Sequence, residues 1–331
     1  MISFVLDVED LANTRFAVSP LHETLLSLRV LQDPGLSALH LPWRRSVLGG
    51  LGPPDTGLLM SLVARRRTLP DFLTPRPTGF APAFEEQLGV VRRSSPAQVR
   101  HDLLLAHAPD PLPEALHAAT TADDSAVAAL RDAICALLRR YWEAAIEPMW
   151  PRIRLVLEAD MTYRARQLAR GGARLLFADM HPDLRWQSGA LHIDKMISRH
   201  RVMASGQGLL LVPSVFAHKP APPVGPEVPP RLVYPSRGVA TLWEPAQAAD
   251  VTVLASLLGA PRARLLRLVE EPLPTVEIAR RLGVTPSAVS QHLRVLYAAG
   301  LVSRARDGRR VLYRRSALGD QLTAGAGPTA P

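Results

Sequence analysis

Between Arg262 and Arg315 the chain places twelve arginines against four acids, Glu270, Glu271, Glu277 and Asp307. This sixth of the sequence therefore carries a net charge of +8, out of +9 for all 331 residues. A charge excess confined to one segment suits a single polyanion-binding module and leaves the rest of the chain near neutral. Within it, Ser287, Ala288, Ser290, Gln291 and Arg294 share one side of a helical pattern, opposite Val289, Leu293 and Leu296. Small residues let such a helix sink into a major groove, where Gln and Arg offer donors and acceptors that match base edges. Arg304, Arg306, Arg309 and Arg310 flank Asp307-Gly308, a two-residue hairpin signal because both central residues of a type I′ turn need positive φ. A hairpin with arginines at its tip suits phosphates or the minor groove. All but two basic residues of the chain (Lys195 and Lys219) are arginine, so the preference for Arg over Lys is not itself a sign of bidentate recognition.

Other reactive residue types are less suggestive. Asp179, His181, Asp183, His192, Asp194 and His200 form an oxygen- and nitrogen-rich group that a hard or borderline metal could use. The Asp-x-His-x-Asp run brackets Pro182 and reads instead as a capped turn, and no metal site is expected. Cys135 falls on an apolar face with Ile134 and Leu138 and reads as a small buried hydrophobe. No nucleophile elbow, P-loop or dinucleotide fingerprint follows a strand, and Gly206-Gln207-Gly208 alone is too short a match, so neither a catalytic site nor a cofactor is expected. Trp142, Trp150, Trp186, Phe216, Tyr234 and Trp243 read as core. Were some of them to line a cavity, the front of the chain would sense a small-molecule effector; the other reading is a domain for dimerisation or protein contact, and the sequence leaves both open.

The elements that must hold these residues follow from length and pattern. At 331 residues the expectation is two domains. With 47% apolar and 21% charged residues the composition is that of a globular protein, and no apolar run approaches the roughly 20 residues that span a bilayer. The start, Met1 to Asp7, lacks the basic onset and apolar core of a leader, so a cytoplasmic protein is expected. One cysteine excludes an internal disulfide. From Ser19 to about Arg170 apolar residues recur at helical spacing, with starts at Ser19-Pro20, Ser95-Pro96 and Asp124 or Ser125, and a break near Pro148 and Pro151. After Gly171-Gly172 the pattern changes: 184–187 and 190–193 flank Ser188-Gly189 as a hairpin, and 208–216 and 231–234 read as short strands around a proline-rich loop at 218–230. Helices are expected at 251–258, 261–270, 275–282 and 286–296, with stops at Gly259 and Gly283 and an N-cap at Thr285, and two strands follow Gly300.

The run Thr275-Val-Glu-Ile-Ala-Arg-Arg-Leu-Gly-Val-Thr-Pro-Ser-Ala-Val-Ser-Gln-His-Leu-Arg-Val-Leu, then Ala299-Gly-Leu-Val and Asp307-Gly-Arg-Arg-Val-Leu-Tyr, closely resembles the winged helix-turn-helix of ArsR-type transcriptional regulators over about 70 residues. The resemblance implies a homodimer on double-stranded DNA, typically a repressor released by an effector, with Thr285, Ser287, Ala288, Ser290, Gln291, His292 and Arg294 facing the duplex. His292 could equally pack at the helix edge. The metal-sensing members carry Cys-x-Cys where this chain has Thr275 to Ala279, and another member type places paired Asp/His sets on the last helix, where Ser316 to Leu322 holds only Asp320. The 250 residues in front are unusual for the family; Gly208 to Phe216, Leu232 to Gly238 and Leu242-Trp243-Glu244 are similar to an uncharacterised domain that precedes such modules in some bacterial regulators. The expected fold is mainly α with small β elements: an α-rich (α+β) domain over 1–245, a winged helix-turn-helix over 246–322, and a disordered tail over 323–331. The expected function is sequence-specific transcriptional regulation, not catalysis, with no membrane partner. A nucleoid-associated protein of low sequence preference is the alternative, and an enzyme with a DNA-binding tail a third.

Overall fold

The computed structural model describes residues 1–50, 53–121, 123–196, 198–225, 228–243, 251–307 and 310–324, and the chain divides into two units, Met1–Trp243 and Glu244–Pro331. The first runs β1 (Ile2–Val5), α1 (Val8–Ala12), β2 (Arg15–Phe16), α2 (Pro20–Gln32), α3 (Leu41–Gly50), α4 (Pro53–Ser61), α5 (Phe84–Arg92), α6 (Pro96–His107), α7 (Ala118–Thr121), α8 (Asp124–Tyr141), α9 (Trp150–Ala178), β3 (Leu184–Gln187), β4 (Ala190–Ile193), β5 (His200–Met203), β6 (Leu210–Ser214) and β7 (Arg231–Pro235). Helix α2 begins where Ser19-Pro20 places it: the Ser19 hydroxyl accepts from the His22 amide at 3.2 Å, and Pro20 fills the first turn, where a missing N–H is harmless. From Pro20 to Leu31 it is buried all round, which makes it the centre of the unit. One buried ionisable group on it, Glu23, accepts the Val215 amide at 3.0 Å, tying the helix to the end of β6.

The break near Pro148 and Pro151 is present and graded. A π-helical turn over Trp142–Ile146 and a 3-10 turn over Glu147–Met149 follow α8, and Pro151 enters the first turn of α9. Gly171-Gly172, read in the sequence as the end of the helical region, instead kinks α9, with Gly172 at φ +63°, and helix resumes to Ala178. The reason is burial: Ala173, Leu176 and Phe177 belong to a second core, beneath the small sheet, which rewards the extra helix.

That sheet has the order β3-β4-β1-β5. The hairpin β3–β4 forms as expected, with Ser188 (φ +51°) and Gly189 (φ +72°) supplying the two positive φ values of its turn. Its central strand is the opening segment, Ile2–Val5, antiparallel to β4 and parallel to β5. Sequence reading treated these residues only as lacking a leader; four residues give too little alternation to mark a strand, and their partners lie about 190 positions away. The strands β2, β6 and β7 form a separate parallel sheet. A parallel pair needs a long connection, which the proline-rich loop supplies; Asp71 pins it by accepting the amides of Val224 and Gly225 at 3.0 and 2.9 Å.

Of the six aromatic residues singled out in the sequence, Trp142, Phe216 and Tyr234 are buried and Trp150, Trp186 and Trp243 pack half-buried against the cores. Phe84 stacks on Trp142 at 4.7 Å, Trp142 meets Trp150 edge-on, and Trp43 packs with Phe216. Cys135 is fully buried, and burial pushes its thiol up to about 11, out of the range of a reactive thiolate. The carboxylates around Pro182 are dispersed into pairs: Asp179 with the buried Arg164 and with the Tyr163 hydroxyl, Asp183 with Lys195 at 2.8 Å, Asp194 with Arg185 at 2.9 Å. Among the described residues no helix is long and apolar enough to cross a membrane.

Candidate nucleic-acid interface

The second unit runs α10 (Val251–Leu258), α11 (Ala260–Leu268), β8 (Leu273–Pro274), α12 (Thr275–Leu282), α13 (Pro286–Ala298), β9 (Val302–Asp307), β10 (Arg310–Arg315) and α14 (Ala317–Ala324). Helix α12 stops because Gly283 turns left-handed at φ +64°, which lets the Val284 amide reach the Ala279 carbonyl at 3.1 Å. Two residues later Thr285 starts α13: its hydroxyl oxygen accepts the Ala288 amide at 3.3 Å and Pro286 takes the first turn. Thr285→Ala is expected to cost this unit about 1 kcal/mol in urea unfolding, and Thr285→Ser to restore it. Unchanged stability of the alanine variant would remove the capping role.

Ile278 and Ala279 of α12 and Val289, Leu293 and Leu296 of α13 share one buried cluster with Leu265 and Leu266 of α11, and Leu282 packs on its edge. Burying that stripe turns the other side of α13 outward. Ser287, Ser290, Gln291 and Arg294 are exposed and Ala288 and His292 half-buried, so the expected face exists as one surface. Ser290 is less available than its exposure suggests, since its hydroxyl donates to the Pro286 carbonyl at 2.9 Å and offers only lone pairs outward. Thr285 is likewise occupied as an acceptor and keeps its O–H to donate.

The strands after Gly300 pair antiparallel with the register Val302↔Arg315 to Asp307↔Arg310. A third strand unforeseen in the sequence, β8, adds to the far edge through Leu312↔Pro274 and Tyr313↔Leu273; two residues ending in proline carry no strand signal of their own. Arg304 and Arg306 on β9 are exposed. Gly308 and Arg309 lie outside the described residues, and Arg310 is placed at the start of β10. Sequence reading missed Tyr297: Arg304 lies over its ring at 4.6 Å, an aromatic support that steadies the guanidinium near α13.

Not all twelve arginines are available to a polyanion. Arg280 and Arg281 both bond Glu277, whose carboxyl they hold down at about 2. Arg315 is shared between Glu270 and Asp320, and Arg314 donates to the Glu270 carbonyl. Among the described residues Arg294, Arg304 and Arg306 have no carboxylate partner, nor do Arg262, Arg264 and Arg267 on α11, so unneutralised charge is left on α13, β9 and α11. The C-terminal end also differs from expectation, because Thr323 and Ala324, assigned to a disordered tail, belong to α14. There the Thr323 hydroxyl donates to the Gly319 carbonyl at 2.9 Å; the rest of that tail lies outside the described residues.

Residues 262–304 match a family described as a helix-turn-helix domain. Over 81 residues, 24% of this chain and 63% of the other, the sequence is 38% identical to a Halobacterium salinarum protein described as an arsenical resistance operon repressor, ArsR. The chain thus spans less than two thirds of that relative's length. No solved structure matches the chain. Helix, left-handed glycine turn, capped second helix and arginine-bearing hairpin make the C-terminal unit a winged helix-turn-helix, on a segment that matches the helix-turn-helix family and is similar in sequence to the ArsR protein.

Proposed function

We propose that the chain is a cytoplasmic, homodimeric, sequence-specific transcriptional regulator acting as a repressor. Residues 246–322 read DNA, and residues 1–245 set when they do so, by binding an effector or by mediating assembly. The observation that carries this reading is the outward face of α13, where Ser287, Ser290, Gln291 and Arg294 surround the small Ala288 on a helix whose opposite side is fully buried. In a dimer two such helices would enter major grooves about one helical turn apart. Thr285 and His292 flank that contact, while Arg304 and Arg306, with Arg309 and Arg310, dock on phosphates. The ArsR name of the similar protein supports repression over activation, and nothing in the sequence motifs supports catalysis.

Binding to the chain's own upstream region at several salt concentrations, against unrelated DNA of equal length, tests the reading. A preference of about 10³-fold or more with a steep salt slope is the expected result; equal binding of bulk competitor would favour a DNA-coating protein. The two arginine roles separate by substitution. Arg294→Ala is expected to cost ~1–3 kcal/mol on the cognate site and flatten preference at one base pair, whereas Arg306→Ala weakens all sequences alike and lowers the salt slope by about one. Equal, sequence-independent losses in both variants would refute the assignment.

A further inference from the structure

The first unit holds a cavity of about 250 Å³ to which the DNA-binding reading gives no role. Five cations line it: Arg29, Arg66, Arg67, Lys219 and Arg231. Asp71 is the one acid on its wall among the described residues, and it already accepts the Val224 and Gly225 amides. Asp33, outside the cavity, takes Arg67. Arg29, Arg66, Lys219 and Arg231 are left without a carboxylate in ion-pair contact among the described residues.

Two of these cations are also buried. Arg29 is 8% and Arg231 4% exposed, and the Nε of each has no hydrogen-bond partner; Arg231 donates its other nitrogens to Thr74. Buried donors are ordinarily paired, and an uncompensated buried charge destabilises a fold. The same burial disfavours the charged forms of the group. Burial lowers Arg29 to about 10, with Arg67 adding to it, and lowers Arg231 to about 10; the neighbouring His218 is pushed down to about 4, by burial first and then by Arg29 and Lys219. The remaining wall mixes the polar His22, Thr68, Thr74 and Ser198 with an apolar side that includes Leu26, Leu69, Leu105 and Val233. None of the six aromatic residues that the sequence singled out lines this cavity.

We propose that this cavity binds a small, multiply charged organic anion, a phosphate monoester or a dicarboxylate. Its oxygens take the unpaired donors of Arg29, Arg231 and Lys219, and its carbon skeleton lies against the leucines and Val233. This names the chemistry of the effector left open above, yet it stands on the first unit alone. Anion binding is measured without DNA, so its failure leaves the DNA-binding reading untouched.

The test is thermal unfolding and titration calorimetry of the full chain with hexyl phosphate, adipate and inorganic phosphate, against hexanol and sodium chloride at matched ionic strength. Hexyl phosphate or adipate is expected to raise Tm by several degrees over chloride when present well above Kd; whichever does so identifies the head group, and hexanol has no effect. Arg29→Met carries the decisive prediction: it abolishes the anion-dependent shift and raises Tm in the absence of anion, because a similarly long apolar side chain replaces an unpaired buried charge. A purely structural arginine would instead lower Tm when replaced. Lys219→Met, at a half-buried position, keeps the test valid if Arg29→Met does not fold, and should also abolish the shift. No shift with any anion over chloride, or a shift that persists in both variants, overturns the proposal.

Discussion

Leu293→Ala is expected to destabilise the C-terminal unit by ~2–5 kcal/mol and to abolish operator binding. Leu293 is fully buried at the centre of the cluster that joins α11, α12 and α13, so truncation removes apolar burial and leaves a cavity where three helices meet. A unit of this size commands roughly 5–10 kcal/mol in total, so the loss is a large fraction of its stability. The outward face of α13 exists only because its inward face is packed, and DNA affinity should therefore fall even though no side chain of the proposed DNA-contacting face has changed. Hydrogen exchange of the α12 and α13 amides, together with urea unfolding, measures the effect. Val295→Ala, two positions on and 45% exposed, is the control and should stay within about 0.5 kcal/mol of the parent. Equal stability of the two variants would mean that the helix is held by something other than this stripe.

The second large effect is on pH. Burial raises the Glu23 carboxyl from 4.5 to about 8, against the smaller opposing influence of hydrogen bonds from Ser214, Val215 and Phe216. Between about pH 4.5 and 8 the folded chain therefore holds one proton that the unfolded chain has lost. Stability linked to this group is fully present below pH 4.5 and is lost as pH rises through about 8. The slope approaches about 1.4 kcal/mol per pH unit, which amounts to a few kcal/mol over the window. Glu23→Gln imitates the protonated form and removes the slope. The variant should match the parent near pH 5 and exceed it in urea unfolding near pH 8; parallel pH profiles for the two proteins would overturn the assignment of the proton to Glu23.

What could be read in advance was local. Gly283 as the stop of α12, Thr285-Pro286 as the start of α13, Gly259 between α10 and α11, and the caps at Ser19 and Ser95 all stand where the sequence put them, because a cap or a left-handed turn is decided by two to four neighbouring residues. The face of α13 was legible for the same reason: once the helix is fixed, a 3.6-residue period decides which side chains lie opposite Val289 and Leu293. What that reading could not supply was occupancy. Arginines 280, 281 and 315 count toward the segment's charge as fully as Arg294 does, yet their carboxylate partners remove them from the exposed field.

The first unit shows the other half of the division. Its helices announce themselves, but Ile2–Val5 becomes a central strand only because β4 and β5 arrive from about 190 residues away. Arg29, Lys219 and Arg231 are unremarkable in the linear chain and become a cluster only when α2, the proline-rich loop and β7 close around one cavity. By itself the sequence determined most helices, the caps and turns that bound them and which side of α13 is turned outward, since these depend on short-range backbone geometry and periodicity. Tertiary structure alone decided which charges are neutralised, which are buried and which face each other across a cavity. Those outcomes depend on contacts between segments far apart in sequence, and no local pattern encodes them.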